Sequence, residues 1–308
     1  MSGVRTISTA FEEACMNSRA LHFSHHFKRA NGLRFHYVEC GPHDAPAIVL
    51  LAGFPQSWFA WRHVMAHLAR SFRVVAIDLP GQGDTDKPLS GYDTQTVAHR
   101  VHDLVVELDL GEYCLAAHDV GAWVAFPYAH LFETQIRALA LLDSGIPGVT
   151  LPASLPSSSD HSWKTWHFSF HALPDLPEIL LEGRERPYLE WFFREKSADP
   201  ACHDTTALDE YLRIFTAPGA MRAGLAYYRA LALSADQNRR LTEGHRLALP
   251  VLGLGADQGS IKDMGGSLAP FCSNAHAETI ASCGHFQPEE QPEAVADALQ
   301  RFFYPSVA

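Results

Sequence analysis

The chain has 308 residues, 47% of them hydrophobic and 19% charged, with a formal net charge of −11. That describes an ordinary globular protein with a sizeable core, long enough for one large domain or a core carrying an inserted smaller one. The acidic balance argues against nucleic acid or an anionic membrane surface as partner.

Taken in chain order, the first twenty residues place Glu12 and Glu13 where a secretory signal needs its apolar stretch. No apolar run approaches the ~18 to 20 residues needed to span a bilayer. A cytoplasmic protein is the expectation, with secretion by a route lacking a recognisable signal left open. The six cysteines, Cys15, Cys40, Cys114, Cys202, Cys272 and Cys283, are scattered without a C-x-x-C pair, so they read as reduced and mostly buried. Residues 22–39 read as a hairpin turned at Asn31-Gly32.

Short Val/Leu/Ala-rich runs follow at Ala47–Leu51, Phe72–Ile77, Tyr113–Ala117, Arg137–Leu142 and Pro250–Leu254. Continuous apolar runs of that length are what strands buried on both faces of a parallel sheet look like. Between them, Val97, Val101, Leu104, Val105 and Leu108 form one helical face behind a cap at Asp93. The rhythm breaks at residues 145–162, rich in Gly, Pro and Ser, and a helical, aromatic stretch runs on to about residue 240. Alternation resumes at Pro250, and a last helix starts at Pro292. The pattern predicts a doubly wound α/β sheet whose core spans 1–144 and 241–308, interrupted by a helical cap over 145–240. Such a cap belongs over the carboxyl ends of the strands, where open α/β sheets bind ligands. No internal repeat is present.

The chemistry gathers at Cys114-Leu115-Ala116-Ala117-His118-Asp119-Val120-Gly121. A strand run leads into small-x-Asp-x-Gly and then a helix, the pattern of a strained elbow that pushes one side chain into open space. A carboxylate there suits attack on a saturated carbon, because the resulting ester is one that water can still cleave. Serine would leave an ether. His285, in Ser282-Cys283-Gly284-His285, lies between a strand-like run and the final helix and can act as base on water. Asp143 and Asp257 each follow a strand, and either could orient that histidine; the residues alone do not separate them. The backbone N–H groups of Phe54 and Val120 are the expected oxyanion donors, each worth about 3 to 4 kcal/mol. Gly265-Gly266-Ser267 mimics a serine elbow without the acid and histidine that must follow, and Gly81-x-Gly83 lacks the dinucleotide-binding pattern.

Leu51-Ala52-Gly53-Phe54-Pro55, Asp78 to Pro88, His118-Asp119-Val120-Gly121-Ala122 and Cys283-Gly284-His285 together resemble the epoxide hydrolases and dehalogenases of the α/β-hydrolase fold. Ala52 departs from the histidine usual in their H-G-x-P. Trp166-His167-Phe168, Tyr227-Tyr228-Arg229 and Leu142-Asp143-Ser144 are similar to the Cif-type bacterial epoxide hydrolases, a likeness running over roughly residues 25 to 303. That resemblance implies that His167 and Tyr228 stabilise the opening epoxide oxygen, and it favours Asp143 as the acid. Taken singly, His167 is a packing residue; joined to Tyr228 and Asp119 it reads as functional. His171 stands at i, i+4 from His167 with no third ligand signalled, so no metal is expected, and the chemistry calls for no cofactor. The aromatic residues Trp163, Trp166, Phe168, Phe170, Trp191 and Phe192 predict an apolar cavity for a small apolar epoxide. A homodimer through the lid is compatible with this and not derivable from the residues.

Two rivals remain. A haloalkane or haloacid dehalogenase shares Asp119 and His285, but Val120 and Trp123 stand where such enzymes usually carry a halide-binding tryptophan or carboxylate-binding arginines. A non-catalytic receptor of this fold would have little reason to keep nucleophile, acid and histidine together.

Overall fold

The structure, a computed structural model, describes residues 22–152 and 159–307, with the side chains of 159–161 and 163 outside that description. Cys15 and the Trp163 side chain therefore lie outside the described parts. The hairpin forms as expected, β1 (Ser24–Ala30) pairing antiparallel with β2 (Leu33–Cys40). Asn31 and Gly32 take φ of 44° and 83° at its turn, the left-handed pair that matches strand twist.

Then β3 (Ala47–Leu51), α1 (Arg62–Leu68), β4 (Arg73–Ile77), α2 (Thr94–Leu108), β5 (Tyr113–His118), α3 (Val120–Leu131) and β6 (Ile136–Leu142) alternate. Asp93 caps α2 by accepting from the Thr96 N–H. After β6 come six helices: α4 (Ser159–Ala172), α5 (Leu176–Leu181), α6 (Glu185–Lys196), α7 (Thr205–Phe215), α8 (Ala220–Arg229) and α9 (Leu231–Thr242). No strand interrupts them among the described residues. The core returns with β7 (Leu247–Ala256), α10 (Met264–Leu268), β8 (Cys272–Ile280), α11 (Gln287–Glu290) and α12 (Pro292–Val307). Gly265, Gly266 and Ser267 sit inside the short α10, where the Ser267 hydroxyl donates to the Met264 carbonyl.

The eight strands form one sheet in the order β1-β2-β4-β3-β5-β6-β7-β8. It is parallel from β4 onward and antiparallel only at the β1–β2 and β2–β4 pairings. Its central strands explain the unbroken apolar runs. Val49, Leu51, Val75, Leu115 and Leu139 face α2 and α3, while Ile48, Leu50, Val74, Cys114 and Ala138 face α1 and α12. Each such Val, Leu or Ile contributes about 1.5–3 kcal/mol by leaving water. The five described cysteines are unpaired, four of them buried. No described helix is long and apolar enough to cross a membrane.

Register then sets the site. His118 pairs with Leu142, and Leu142 with Leu254, so the residues after β5 and β6 emerge side by side at one level. Strand β7 continues through Gly255 and Ala256 before Asp257 follows.

Candidate active site

Asp119 sits between β5 and α3 with φ 51° and ψ −123°. A non-glycine residue held there costs on the order of 1–3 kcal/mol of backbone strain, and two glycines make the turn sterically feasible. A Cβ on Gly53 would lie 2.3 Å from Asp119 Cβ, and one on Gly121 would lie 2.5 Å from the Leu51 carbonyl oxygen. The elbow therefore presses directly against the end of β3. There the Phe54 N–H donates to Asp119 Oδ1 at 2.8 Å. Val120 opens α3, so its N–H is one of the first-turn amides without an intrahelical acceptor. Of the two expected oxyanion donors, Phe54 contacts the carboxylate directly, and Val120 follows Asp119 with its amide uncommitted within the helix.

His285 links the two carboxylates. Its Nδ1 lies 2.7 Å from Asp143 Oδ2, and its Nε2 lies 3.5 Å from Asp119 Oδ2. Asp143 also accepts from the backbone N–H groups of Ser260, at 2.9 Å, and Ile261, at 2.7 Å. Of the two candidate acids, Asp143 is the one within hydrogen-bond reach of the imidazole. Asp257 is exposed and turns elsewhere, accepting from the N–H groups of Ser282 and Cys283. It shapes the loop that carries His285 without touching the imidazole. Glu290 braces the same loop to the helical segment, accepting from the N–H groups of Gly284 and Phe286 and also of Ala198. His118 beside Asp119 is buried and bonds the His285 carbonyl through Nε2 at 2.8 Å.

Burial opposes ionisation of Asp119, but the hydrogen bond with His285 and the charges of His285, His118 and Lys196 outweigh it. The carboxyl is held well below its ordinary range. Burial likewise opposes charge on His285, and its bonds to Asp119 and Asp143 outweigh that, raising its pKa above the ordinary value.

The opposite wall comes from the helices. The site is a cavity of about 270 Å³ lined by Asp119, Trp123, His167, Phe168, Lys196 and His285 among others. His167 is buried in that wall, and its Nδ1 has no hydrogen-bond partner among the described residues. Burial first, then the Lys196 charge and His171, hold its imidazole well below the ordinary range, so it is neutral. Tyr228 adjoins three of the lining residues, its ring edge-on to Trp123, His167 and Phe168 at 5.3, 5.7 and 5.5 Å between centroids. Burial, with the Asp119 charge, pushes its phenol well above the ordinary value, so it keeps its proton. His171 does not turn to the cavity: its Nε2 is hydrogen-bonded to the Tyr188 hydroxyl. Among the described residues no group of three or more His, Cys, Asp or Glu converges as a metal site.

The wall is mainly apolar, as expected, but the residues that line it differ from the expected set. Of the six aromatic residues expected to line it, Phe168 does; Trp166, Trp191 and Phe192 pack against one another behind it. Lys164 and Lys196 take part in the lining instead. Lysines among Glu, Arg and Thr in helical segments read as solvent-facing, and only the packing of α4 and α6 over the strand ends turns them inward.

Residues 48–298 match the alpha/beta hydrolase family, and the chain belongs to that family. Within it the chain belongs with the epoxide hydrolases. It is 32% identical to the soluble epoxide hydrolase of Corynebacterium sp. (strain C12), over 92% of this chain and 98% of that one. A solved structure of wild-type Cfl2 from Burkholderia cenocepacia is 54% identical, covers 93% of this chain and 98% of its own, and matches with a TM-score of 0.91. The Cif epoxide hydrolase from Acinetobacter nosocomialis, at 23% identity over 98% of both chains, shares the fold with a TM-score of 0.85.

Proposed function

We propose that this chain opens an epoxide to a vicinal diol through a covalent ester on Asp119. The observation that carries the reading is His285 held between two carboxylates, hydrogen-bonded at 2.7 Å to Asp143 and 3.5 Å from Asp119. An ionised Asp119 Oδ attacks an oxirane carbon. The C–O bond breaks, and its electron pair goes to the epoxide oxygen, which accepts a hydrogen bond from His167 and a proton from the Tyr228 phenol. Neutral His167 and protonated Tyr228 are the forms that this step needs.

Ester formation removes the Asp119 charge, and His285 is then free to take a proton from water. The hydroxide attacks the ester carbonyl, whose developing oxyanion the Phe54 and Val120 N–H groups stabilise. Asp143 holds the imidazole ring and stabilises its cation. Collapse releases the diol and restores the Asp119 carboxylate, and the proton held by His285 returns to the donor pair.

Replacing His285 with Gln leaves the attacking residue and removes the base. Incubated with styrene oxide, H285Q is expected to gain the mass of one epoxide, located on Asp119 by peptide mapping. Absence of the adduct, with halide release from haloacetates by the wild type, would replace this reading with the dehalogenase one.

A further inference from the structure

The cavity wall holds a charge that the reaction as described does not use. Lys196 ends α6 and is only 7% exposed, yet it lines the same cavity as Asp119 and His285. Its Nζ forms no hydrogen bond and no ion pair among the described residues; it lies 5.2 Å from the centre of the Phe192 ring. Burial pushes its ammonium down to about 8, against the opposing pull of Asp119 and Asp143, so it remains largely charged at neutral pH. Lys164 lines the cavity too, and its charge acts on Lys196.

An ammonium buried without a hydrogen-bonding anion is costly, by several kcal/mol in general. The two carboxylates nearby do not relieve this at close range. Asp119 is engaged by the Phe54 N–H and faces His285, and Asp143 is filled by His285, Ser260 and Ile261. Esterification makes matters worse, because Asp119 then loses the charge that helps to hold Lys196 ionised. A purely apolar epoxide would fill the cavity and leave that cation unpaired.

We propose that the cavity is built for short epoxides bearing a carboxylate near the oxirane, with Lys196 as the anion-holding group and Lys164 as the second cation of that wall. The inference rests on the epoxide hydrolase reading and adds the substrate class to it. The modest volume of about 270 Å³, just below the ~300 Å³ lower end of common ligand pockets, favours a short acid whose carboxylate enters with the ring. Carboxylate, ammonium and Asp119 then share one cavity, so the charge contact also orients the oxirane for attack.

The test is a matched pair of substrates, trans-3-methylglycidate and its methyl ester, which differ in the charge. Wild-type kcat/KM is expected to favour the acid by about tenfold or more. In Lys196→Met, which keeps the length of the side chain and loses the charge, the ratio should fall towards one; in Lys196→Arg it should persist. Thermal midpoints of both variants report folding, and the wild-type ratio needs no variant at all. If the wild type favours the ester or treats the pair alike, the inference is overturned while the epoxide reading stands. A fall in both substrates by the same factor in Lys196→Met also overturns it, since that is the mark of a lysine that only sets the field at Asp119. If neither compound nor styrene oxide is turned over, and H285Q gains no adduct with any of them, the epoxide reading fails and this one with it.

Discussion

The two halves of the cavity wall are built on opposite terms. On the sheet side every polar group is already engaged: Asp119 with the Phe54 N–H, Asp143 with His285, Ser260 and Ile261, and His285 between the two carboxylates. On the helical side, Nδ1 of His167 has no hydrogen-bond partner among the described residues, and Nζ of Lys196 lies over the face of Phe192 rather than against an anion. The difference teaches where preorganisation ends and recognition begins. Groups satisfied before substrate arrives hold a fixed geometry for chemistry; buried groups left unsatisfied gain most from a ligand that pairs them.

The comparison breaks most visibly at the orienting acid. Asp143→Asn keeps the shape but loses the charge facing the imidazole, and should cut kcat by about 10²- to 10⁴-fold. Asp257→Asn, on the neighbouring strand end, should leave kcat within a few-fold and lower the thermal midpoint slightly, because it bonds only the Ser282 and Cys283 amides. Parallel kinetics and melting curves on the two variants check this, and a large kinetic loss in Asp257→Asn would reverse the assignment.

On the helical side the expected effects are smaller and fall on an earlier step. Tyr228→Phe and His167→Phe should each slow ester formation by roughly 10- to 10²-fold, since one hydrogen-bond donor can partly cover for the other. Stopped-flow measurement of alkylation should show this, with hydrolysis of the preformed ester changed much less. Equal loss in both steps would mean that these residues shape the cavity rather than stabilise the leaving oxygen.

The smallest effect is one of pH, and its sign follows from the charges. His285 works as base only when neutral, so ester hydrolysis is lost as pH falls through its pKa. That pKa is raised in the free protein partly by Asp119, and esterification removes this contribution. The acid limb of kcat should therefore lie at lower pH than the titration of His285 in the free protein, whereas Asp119, held well below its ordinary range, stays ionised throughout. Rate profiles set against an NMR titration of His285 decide it. A kcat limb at or above the free titration would contradict the link.

Local chemistry made much of this legible without coordinates. Apolar runs of strand length mark β3 to β7, because parallel strands buried on both faces need no alternation. Asn31-Gly32 marks the hairpin, Asp93 the start of α2, and a carboxylate between small residues marks the elbow at Asp119. Asp143 and Asp257 were indistinguishable for a clear reason: each follows a strand, and a strand's end says nothing of its register against its neighbours. Pairing of His118 with Leu142 and of Leu142 with Leu254 puts Asp143 level with Asp119. Two further residues of β7 carry Asp257 past that level.

The sequence by itself determined the fold class and singled out Asp119 and His285 as the residues on which the proposed reaction rests, because each depends on residue identity and short-range pattern. Tertiary structure alone decided which acid faces His285, that aromatic side chains expected in the cavity lining stand behind it, and that Lys196 turns inward. Those outcomes depend on how separate elements meet in space, where burial converts an ordinary helical lysine into a charge in the same cavity as Asp119.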